Sequence, residues 1–520
     1  MSYTPDVPSG ALQPTEYNSG KNIETDVRGI QKIEGDQQIL SQIPGSVLFV
    51  TANFRANNQW WFIVATEEGN WYGVTTSGIT TLTPAVPEYI DNEYSVHTSF
   101  TASWNGDVCF INDDVNPPMY LLPTETQIRL YDSTYSGSTY VWNYYANQGW
   151  TNLSAGFMRV FSAPNVGSVL VAGNLTYEQG GTVYNLPNTL RWSQAFGLNS
   201  GPQTWAPTVS NIANELEIPL RGPIIDGFAL NGNFYVFSYW DCVVLAPIAY
   251  TSTSAPVFGV MPVTQGRGLL NENCWAIADD IGFGVDSGDI WMFAGGKFQE
   301  IGNQRVKNWF FDNLNKTYTN QVYMVNNTFK NQIEIYFPNL TSTGHCNQML
   351  SYRYDLNVWN APRDVSNATA GVEAPIFTSG QPNIATRGIC YVQAATANSK
   401  IIQKDVGTSF INGGAINAIF ERNNINFGQE YTNKIQVHRV YPEIYGTGNI
   451  TVQIGGSNSV GQPATYKANV LMTPNTDNPW VQIAQNSSRT TSIKVSSNDA
   501  TNTWQLTQAT WQLTITEDSR

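Results

Sequence analysis

The sequence predicts an all-β protein, a β-propeller of six or seven irregular blades followed by a C-terminal β-sandwich-like domain. Three observations predict it. Only 13% of the 520 residues are charged, while 12% are aromatic, with 16 Trp and 26 Tyr. A typical globular chain carries roughly 25% charge, and aromatic and β-branched residues suit a pleated, half-buried surface. No long window places apolar residues at i, i+3, i+4 and i+7, the pattern of an amphipathic helix. Finally, short apolar runs separated by Gly, Asn and Asp recur in groups at spacings of about 35–60 residues, as blades do.

The plainest unit is Asn271–Gly302, NENCWAIADDIGFGVDSGDIWMFAGGKFQEIG. Its apolar runs are Cys274–Ile277, Ile281–Val285, Ile290–Phe293 and Phe298–Ile301. They are too short for helices. Asp279-Asp280, Asp286–Asp289 and Gly295-Gly296 supply the positive-φ positions of tight hairpins between them. Alone, this stretch fits a blade and a sandwich meander equally; recurrence favours the blade.

In chain order, residues 1–45 form an N-terminal arm and first strands. Residues 1–20, rich in Pro, Ser, Gly and Thr, predict an extended arm, and Asn22–Leu40 predicts two short strands punctuated by Gly29 and Gly35. The propeller body spans 46–408, with loop insertions near 131–156 and 197–220. Its units begin at Ser46, near His97 (turning at Asn105-Gly106), at Phe157, at Ile224 (turning at Asn231-Gly232) and at Asn271. A sixth covers NQVYMVNNTFKNQIEIYFP to NAPRD, and a weaker seventh spans Pro375–Val406. Residues 409–520 differ, with longer alternating strands such as KIQVHRVYPEIYG and WQLTQATWQLTITE. They predict a separate sandwich-like domain.

The formal net charge is −14. Seven basic and seven acidic residues balance in 409–520, so the excess belongs to the first 408 residues. Such a body disfavours sequence-independent nucleic-acid binding, which needs Lys and Arg to displace counterions from phosphates. It does not disfavour contact with DNA that must slide past. Five widely spaced cysteines without Cys-x-x-Cys predict buried free thiols and a reducing compartment. The N-terminus lacks the pattern of a signal peptide, and no apolar run approaches the ~20 residues that span a bilayer.

No catalytic, cofactor or metal site is predicted. His97, His345 and His438 lack metal-ligand spacing and read as structural. The acidic turn Asp279–Asp289 offers calcium-type oxygens without EF-hand spacing, and a solvated hairpin is favoured. Asp113, Asp226 and Glu334 are carboxylates that a glycosidase could use if two converged across a cleft. Trp60-Trp61, Tyr144-Tyr145 and the Tyr-rich loop 131–150 could stack sugars, although aromatics in strands more often pack blades.

In ordered sequence context the chain resembles the tail nozzle proteins of short-tailed bacteriophages, a group including the packaged-DNA stabilisation proteins. The likeness runs from about residue 22 to the end. It is carried by NIETDVRGIQKIEGDQQIL, by Trp60-Trp61 with Asn70-Trp71-Tyr72 and Thr83-Pro84, and by Arg191-Trp192-Ser193 with Pro202 and Trp205. Arg305-Val306, Trp309-Phe310, QIEIYFP, Tyr352…Trp359 and Phe420-Glu421-Arg422 continue it, while Gln194-Ala195 replaces the usual continuation after Arg-Trp-Ser. The resemblance implies a non-enzymatic virion tail protein, assembled in the host bacterial cytoplasm. It implies a homo-oligomeric ring, usually a hexamer, below the head–tail adaptor, which retains packaged double-stranded DNA and conducts it during ejection without specific binding. Tail fibre and tail needle or plug proteins are the further partners implied, with no stable membrane insertion. On this reading the neutral domain 409–520 forms the ring or docks the adaptor, and Arg191, Trp192, Trp205, Glu421 and Arg422 are the interface candidates. The alternatives are a receptor-binding or polysaccharide-binding or -cleaving propeller, and a solitary scaffold that binds another protein.

Overall fold

The computed structural model describes the chain except residues 56–58, 84–92, 123–127, 131–132, 137–138, 143–148, 249–257, 264–265, 379–380, 428–431, 460, 475–479 and 518–520. The chain is all-β, built of many small antiparallel sheets. Five successive four-stranded sheets cover 47–81, 101–130, 154–217, 226–262 and 275–300, each with its strands in sequence order. The predicted unit at 271–302 is the fifth, with strands Trp275–Ala278, Ile281–Val285, Ile290–Ala294 and Lys297–Glu300.

Turn chemistry explains these short sheets. Leu230 pairs with Asn233 across Asn231 (φ 50°) and Gly232 (φ 76°), the two positive angles of a type I′ turn. Asn105 pairs with Val108 across Gly106 (φ 62°) and Asp107, so Gly106 alone carries the left-handed position. Loop 197–220 is not wholly irregular: Asn214–Glu217 closes the third sheet as its fourth strand. Within 131–156, Ser133–Ser136 pairs with Thr139–Trp142 in a separate hairpin.

An eight-stranded sheet follows, formed by Tyr323–Asn327, Gln332–Phe337, Cys346–Arg353 with Val358–Trp359, Arg363–Thr378, Gln381–Gln393, Asn398–Lys404 and finally Asp36–Pro44. The last strand comes from near the N-terminus, about 360 residues from its partner 398–404 in sequence. This sheet packs on the first: Val50, Phe62 and Val64 share a core with Ala374, Val392 and Ile401. Thr369 Oγ1 donates to Val47 O at 3.0 Å.

Residues 409–520 form two facing sheets whose shared core includes Ile416, Phe420, Ile435, Val452, Val495 and Trp504. Here the N-terminus departs from expectation. Ser19–Lys21 joins the six-stranded sheet beside Ile416–Ile425, and the hairpin Ile23–Asp26/Gly29–Lys32 joins the five-stranded one. The first twenty residues are no extended arm. Tyr17 is fully buried against Phe420, and Ser2–Tyr3 pairs in parallel with Glu16–Tyr17. Asp6 accepts from Asn308 N (2.7 Å) and Trp309 N (2.8 Å), capping the helix Lys307–Asn313 from a distant part of the chain. Among the described residues no helix is long and apolar enough to cross a membrane.

Candidate functional site

A cavity of about 560 Å³ lies where the opening strands of the sheets approach one another. Its lining includes Phe49, Phe100, Arg159, Trp275, Tyr323 and Gly371, from the first, second, third, fifth and eight-stranded sheets or the residues leading into them. The fourth sheet contributes from behind, through Asp226.

Arg159 interrupts the apolar strand Ser154–Ala163, where an unpaired guanidinium would be costly. It is fully engaged. Nε and Nη2 donate to Asp226 Oδ1 (3.0 Å) and Oδ2 (2.5 Å), Nη2 also to Asn273 Oδ1 (2.9 Å), and Nη1 to Ala102 O (2.9 Å). Asp226 has no exposed surface and further accepts from Trp275 Nε1 (2.7 Å), Asn273 N (3.2 Å) and Gly227 N (2.8 Å). One ion pair thus joins four consecutive sheets.

Beside it, burial pushes the Glu272 carboxyl up to about 7; the Ser99 hydroxyl and Arg159 oppose the shift, and Asp226 adds to it. Burial likewise lifts Asp114 to about 7, with Asp113 and Glu272 as like-charged neighbours, although Ser99 N donates to it. Folded Glu272 and Asp114 therefore hold protons that the unfolded chain releases near pH 4. Their contribution to stability is fully present below that pH and is lost as pH rises through about 7. Each tenfold difference in proton affinity between the folded and unfolded chain is worth about 1.4 kcal/mol. With screening at these half-buried groups, the two together amount to roughly 2 kcal/mol. We expect the urea midpoint to fall between pH 5 and pH 8, and Glu272→Gln to flatten that slope. A flat profile in the unmodified chain contradicts the assignment.

A second ionic cluster lies where the N-terminal strand enters the eight-stranded sheet. Arg363 Nη2 meets Asp36 Oδ1 (2.5 Å) and Nη1 meets Asp405 Oδ1 (2.6 Å). Lys404 Nζ meets Asp405 Oδ2 (2.6 Å) and Glu334 Oε1 (2.9 Å), and Lys330 Nζ meets Glu24 Oε1 (2.8 Å) and Asp405 Oδ2 (3.2 Å). Burial opposes ionisation of Asp405, but Lys330, Lys404 and Arg363 outweigh it and hold the carboxyl well below its usual range. That stabilisation is present above the unfolded value near 4 and lost below it.

The three carboxylates considered for catalysis do not converge. Asp226 is tied to Arg159 and Glu334 to Lys404. Asp113 accepts from Tyr94 OH (2.6 Å), Asn116 N (2.8 Å) and Asn116 Nδ2 (2.8 Å). Each has no exposed surface.

Three of the five interface candidates need correction. Arg191, Trp192 and Trp205 are buried within the chain. Arg191 donates to Asn152 Oδ1 (2.6 Å), Thr151 Oγ1 (3.0 Å) and Gly149 O, and lies over the Trp150 ring. Trp192 Nε1 donates to Ile212 O (2.7 Å), and Trp205 packs edge-on against Trp150 at 4.8 Å. These residues fasten the long loops onto the third sheet. Glu421 and Arg422 are half-buried. Glu421 accepts from Tyr466 OH (2.9 Å), and Arg422 Nη2 donates to Leu12 O (3.5 Å).

The remaining candidates sit apart. Trp60 and Trp61 pack on the first sheet, Trp60 against Phe54 and Trp61 beneath Arg55. Tyr144-Tyr145 and most of loop 131–150 lie outside the described residues or side chains. His97 stacks on Tyr318, and His438 Nε2 lies 2.8 Å from Thr514 Oγ1. Burial lowers the pKa of His345. In the acidic turn, Asp286 Oδ1 accepts from Gly288 N and Asp289 N, and Asp289 Oδ2 meets Lys307 Nζ at 3.2 Å. Among the described residues no group of three His, Cys, Asp or Glu is placed to hold a metal ion. All five cysteines are buried and free of disulfides.

An open groove of about 570 Å³ lies between the fourth and fifth sheets. Its walls are Tyr239, Trp240 (54% exposed), Phe298, Arg267, Asp286 and Glu300. A Cβ on Gly222 would stand 2.8 Å from the Trp240 ring, so only glycine there lets the indole lie this close to the backbone. No family model matches the chain, and no curated protein is significantly similar to it.

Proposed function

We propose that the chain is a structural subunit of a tail nozzle of the short-tailed bacteriophage type, with its small sheets closed into a propeller of six or seven blades. Several copies form a ring, and double-stranded DNA passes through the lumen without being bound. One observation carries the structural part. Where the sheets meet, Arg159 and Asp226 form a buried ion pair whose hydrogen bonds tie the second, third, fourth and fifth sheets together, as blades about one axis require. Closure is supported by strand Asp36–Pro44, which completes the last sheet, and by the packing of that sheet on the first.

The conduit part rests on charge. Duplex DNA presents one negative charge per ~1.7 Å, so a basic lining would retain it, whereas an acidic or neutral wall leaves it centred. Only charges within about 8 Å of the lumen matter at physiological salt. The chain carries −14, all of it outside residues 409–520.

Negative-stain imaging and native mass measurement test this. A ring of several 57.5 kDa copies is expected, with Asp and Glu outnumbering Lys and Arg along the lumen. A single-copy particle, or a basic lumen, overturns the proposal. One observation favours a second reading, a polysaccharide-binding propeller. The Trp240 groove combines an exposed indole with Arg267, Asp286 and Glu300, the mixture of apolar wall and a few polar groups that suits a small polar ligand. A single-copy particle whose tryptophan fluorescence is quenched by host surface polysaccharide would establish that reading instead.

A further inference from the structure

Ring formation requires a surface that joins one copy to the next, and the five-stranded sheet offers one. Its strand Thr503–Glu517 pairs with Asn433–Thr447 along its whole length on one side. On the other, Gly29–Lys32 pairs only with Gln505 and Leu506. The hairpin turn ends there, close enough that a Cβ on Gly29 would stand 2.2 Å from Leu506 O. Among the described residues no strand pairs with 508–517 on this side.

The direction of the open backbone groups follows from Pro442. It lies opposite Ala509 and has no N–H, so the pair is of the non-hydrogen-bonded kind. Ala509 therefore points its N–H and C=O at the open side. By alternation Trp511, Leu513 and Ile515 do the same, since the ladder irregularity near Val437 and Arg439 leaves 508–517 continuous.

Several other edges on this chain are guarded. Gly78–Thr81, Asn214–Glu217 and Lys297–Glu300 are four residues long, and Phe258–Pro262 ends in proline. Short strands, Lys and Pro are the usual protections against edge pairing. Residues 508–517, QATWQLTITE, have none: no Pro, Gly, Lys or Arg, and one charge at the far end. Trp511 and Leu513 are half-buried and Ile515 is 44% exposed.

We propose that this edge is a β-augmentation site that takes an extended strand from a second copy of this chain, an inference resting on the ring reading above. Main-chain hydrogen bonding defines the occupant as a strand. Charge argues for a second copy. Identical chains of −14 repel, and residues 409–520, with seven charges of each sign, are where two copies approach at least electrostatic cost.

The test uses the full chain. Native mass is measured for the unmodified protein and for Ala509→Pro/Ile515→Pro, which removes two outward N–H donors and leaves the inner ladder intact. Circular dichroism monitors folding. A multi-copy unmodified protein and a folded single-copy variant are expected. If the unmodified protein is a single copy, both the ring and this site fail. If variant and parent are both multi-copy, the site alone fails. Hydrogen exchange on the unmodified chain gives a reading independent of the substitutions. The amides of Ala509, Trp511, Leu513 and Ile515 should be protected in the assembly, and exchange within seconds in the assembly overturns the site.

Discussion

Arg363→Met is expected to destabilise the protein by about 3–5 kcal/mol, the usual cost of removing one partner from a buried ionic cluster. Arg363 is 1% exposed and contacts Asp36 and Asp405, with Glu34 O at 3.2 Å as a further acceptor. Removal leaves two carboxylates in a low-dielectric site. For Asp36, burial already raises the pKa and Arg363 is the largest opposing influence, so the variant should take up a proton there. Asp405 keeps Lys330 and Lys404. The loss should therefore be greatest at alkaline pH and smaller near pH 5, where protonated Asp36 needs no counter-charge. Because Asp36 opens the strand that completes the eight-stranded sheet, limited proteolysis should cut first near residues 33–45. Urea unfolding at pH 5 and pH 8 with mapping of the first cut checks both points. A variant as stable as its parent at pH 8 would mean that the cluster does not fasten this strand.

How much of this was legible in the sequence depended on the range of the interaction. The fifth sheet was readable almost to the residue, because its strands are joined by turns that announce themselves, such as Gly295-Gly296 with φ of 57° and 79°. Strand Arg363–Thr378 was missed over its first half. RDVSNATAGVEA has no apolar run, because small residues face crowded neighbours there: a Cβ on Gly371 would stand 3.1 Å from the Tyr323 ring. The fate of the N-terminus was hidden for a different reason. Strands Ser19–Lys21, Gly29–Lys32 and Asp36–Pro44 pair with strands more than 350 positions away, and nothing local in GKNIETDVRGIQKIEGDQQIL specifies those partners.

The site residues divide in the same way. Arg191, Trp192 and Trp205 stood out as a group because they do act together, but composition cannot tell an anchor inside the chain from one at its surface. Arg159 and Arg363 carry the two buried ion networks and went unnoticed. A signal was present for Arg159. A lone charge inside FMRVF, with apolar residues on both sides, implies a buried partner. Which carboxylate answers it is a matter of sheet order, and Asp226 lies 67 positions on.

That ion pair is the second place where a large effect is expected. Asp226→Ala should cost about 3–5 kcal/mol, because Arg159 would keep its buried position without its counter-charge while Trp275 Nε1 and Asn273 N lose their acceptor. The double replacement Arg159→Met/Asp226→Leu should recover most of that loss, since a buried pair exchanged for apolar side chains of similar size is often neutral or better. The recovery separates two roles. If the pair supplies mainly neutralisation, the double variant approaches the parent and the coupling energy is large. If its hydrogen bonds to Ala102 O and Asn273 also hold four sheets in register, the double variant stays folded but loosens where the sheets meet. Trp275 reports on this directly, because Arg159 lies 5.1 Å from its ring centroid and Phe228 4.9 Å on centroid separation. A red-shifted tryptophan emission in the stable double variant would show that the pair orients the sheets, and an unshifted one that it only balances charge. Equal losses in the single and double variants would rule out charge balance as the source of the cost and assign it to Trp275 Nε1 and Asn273 N, which lack their acceptor in both.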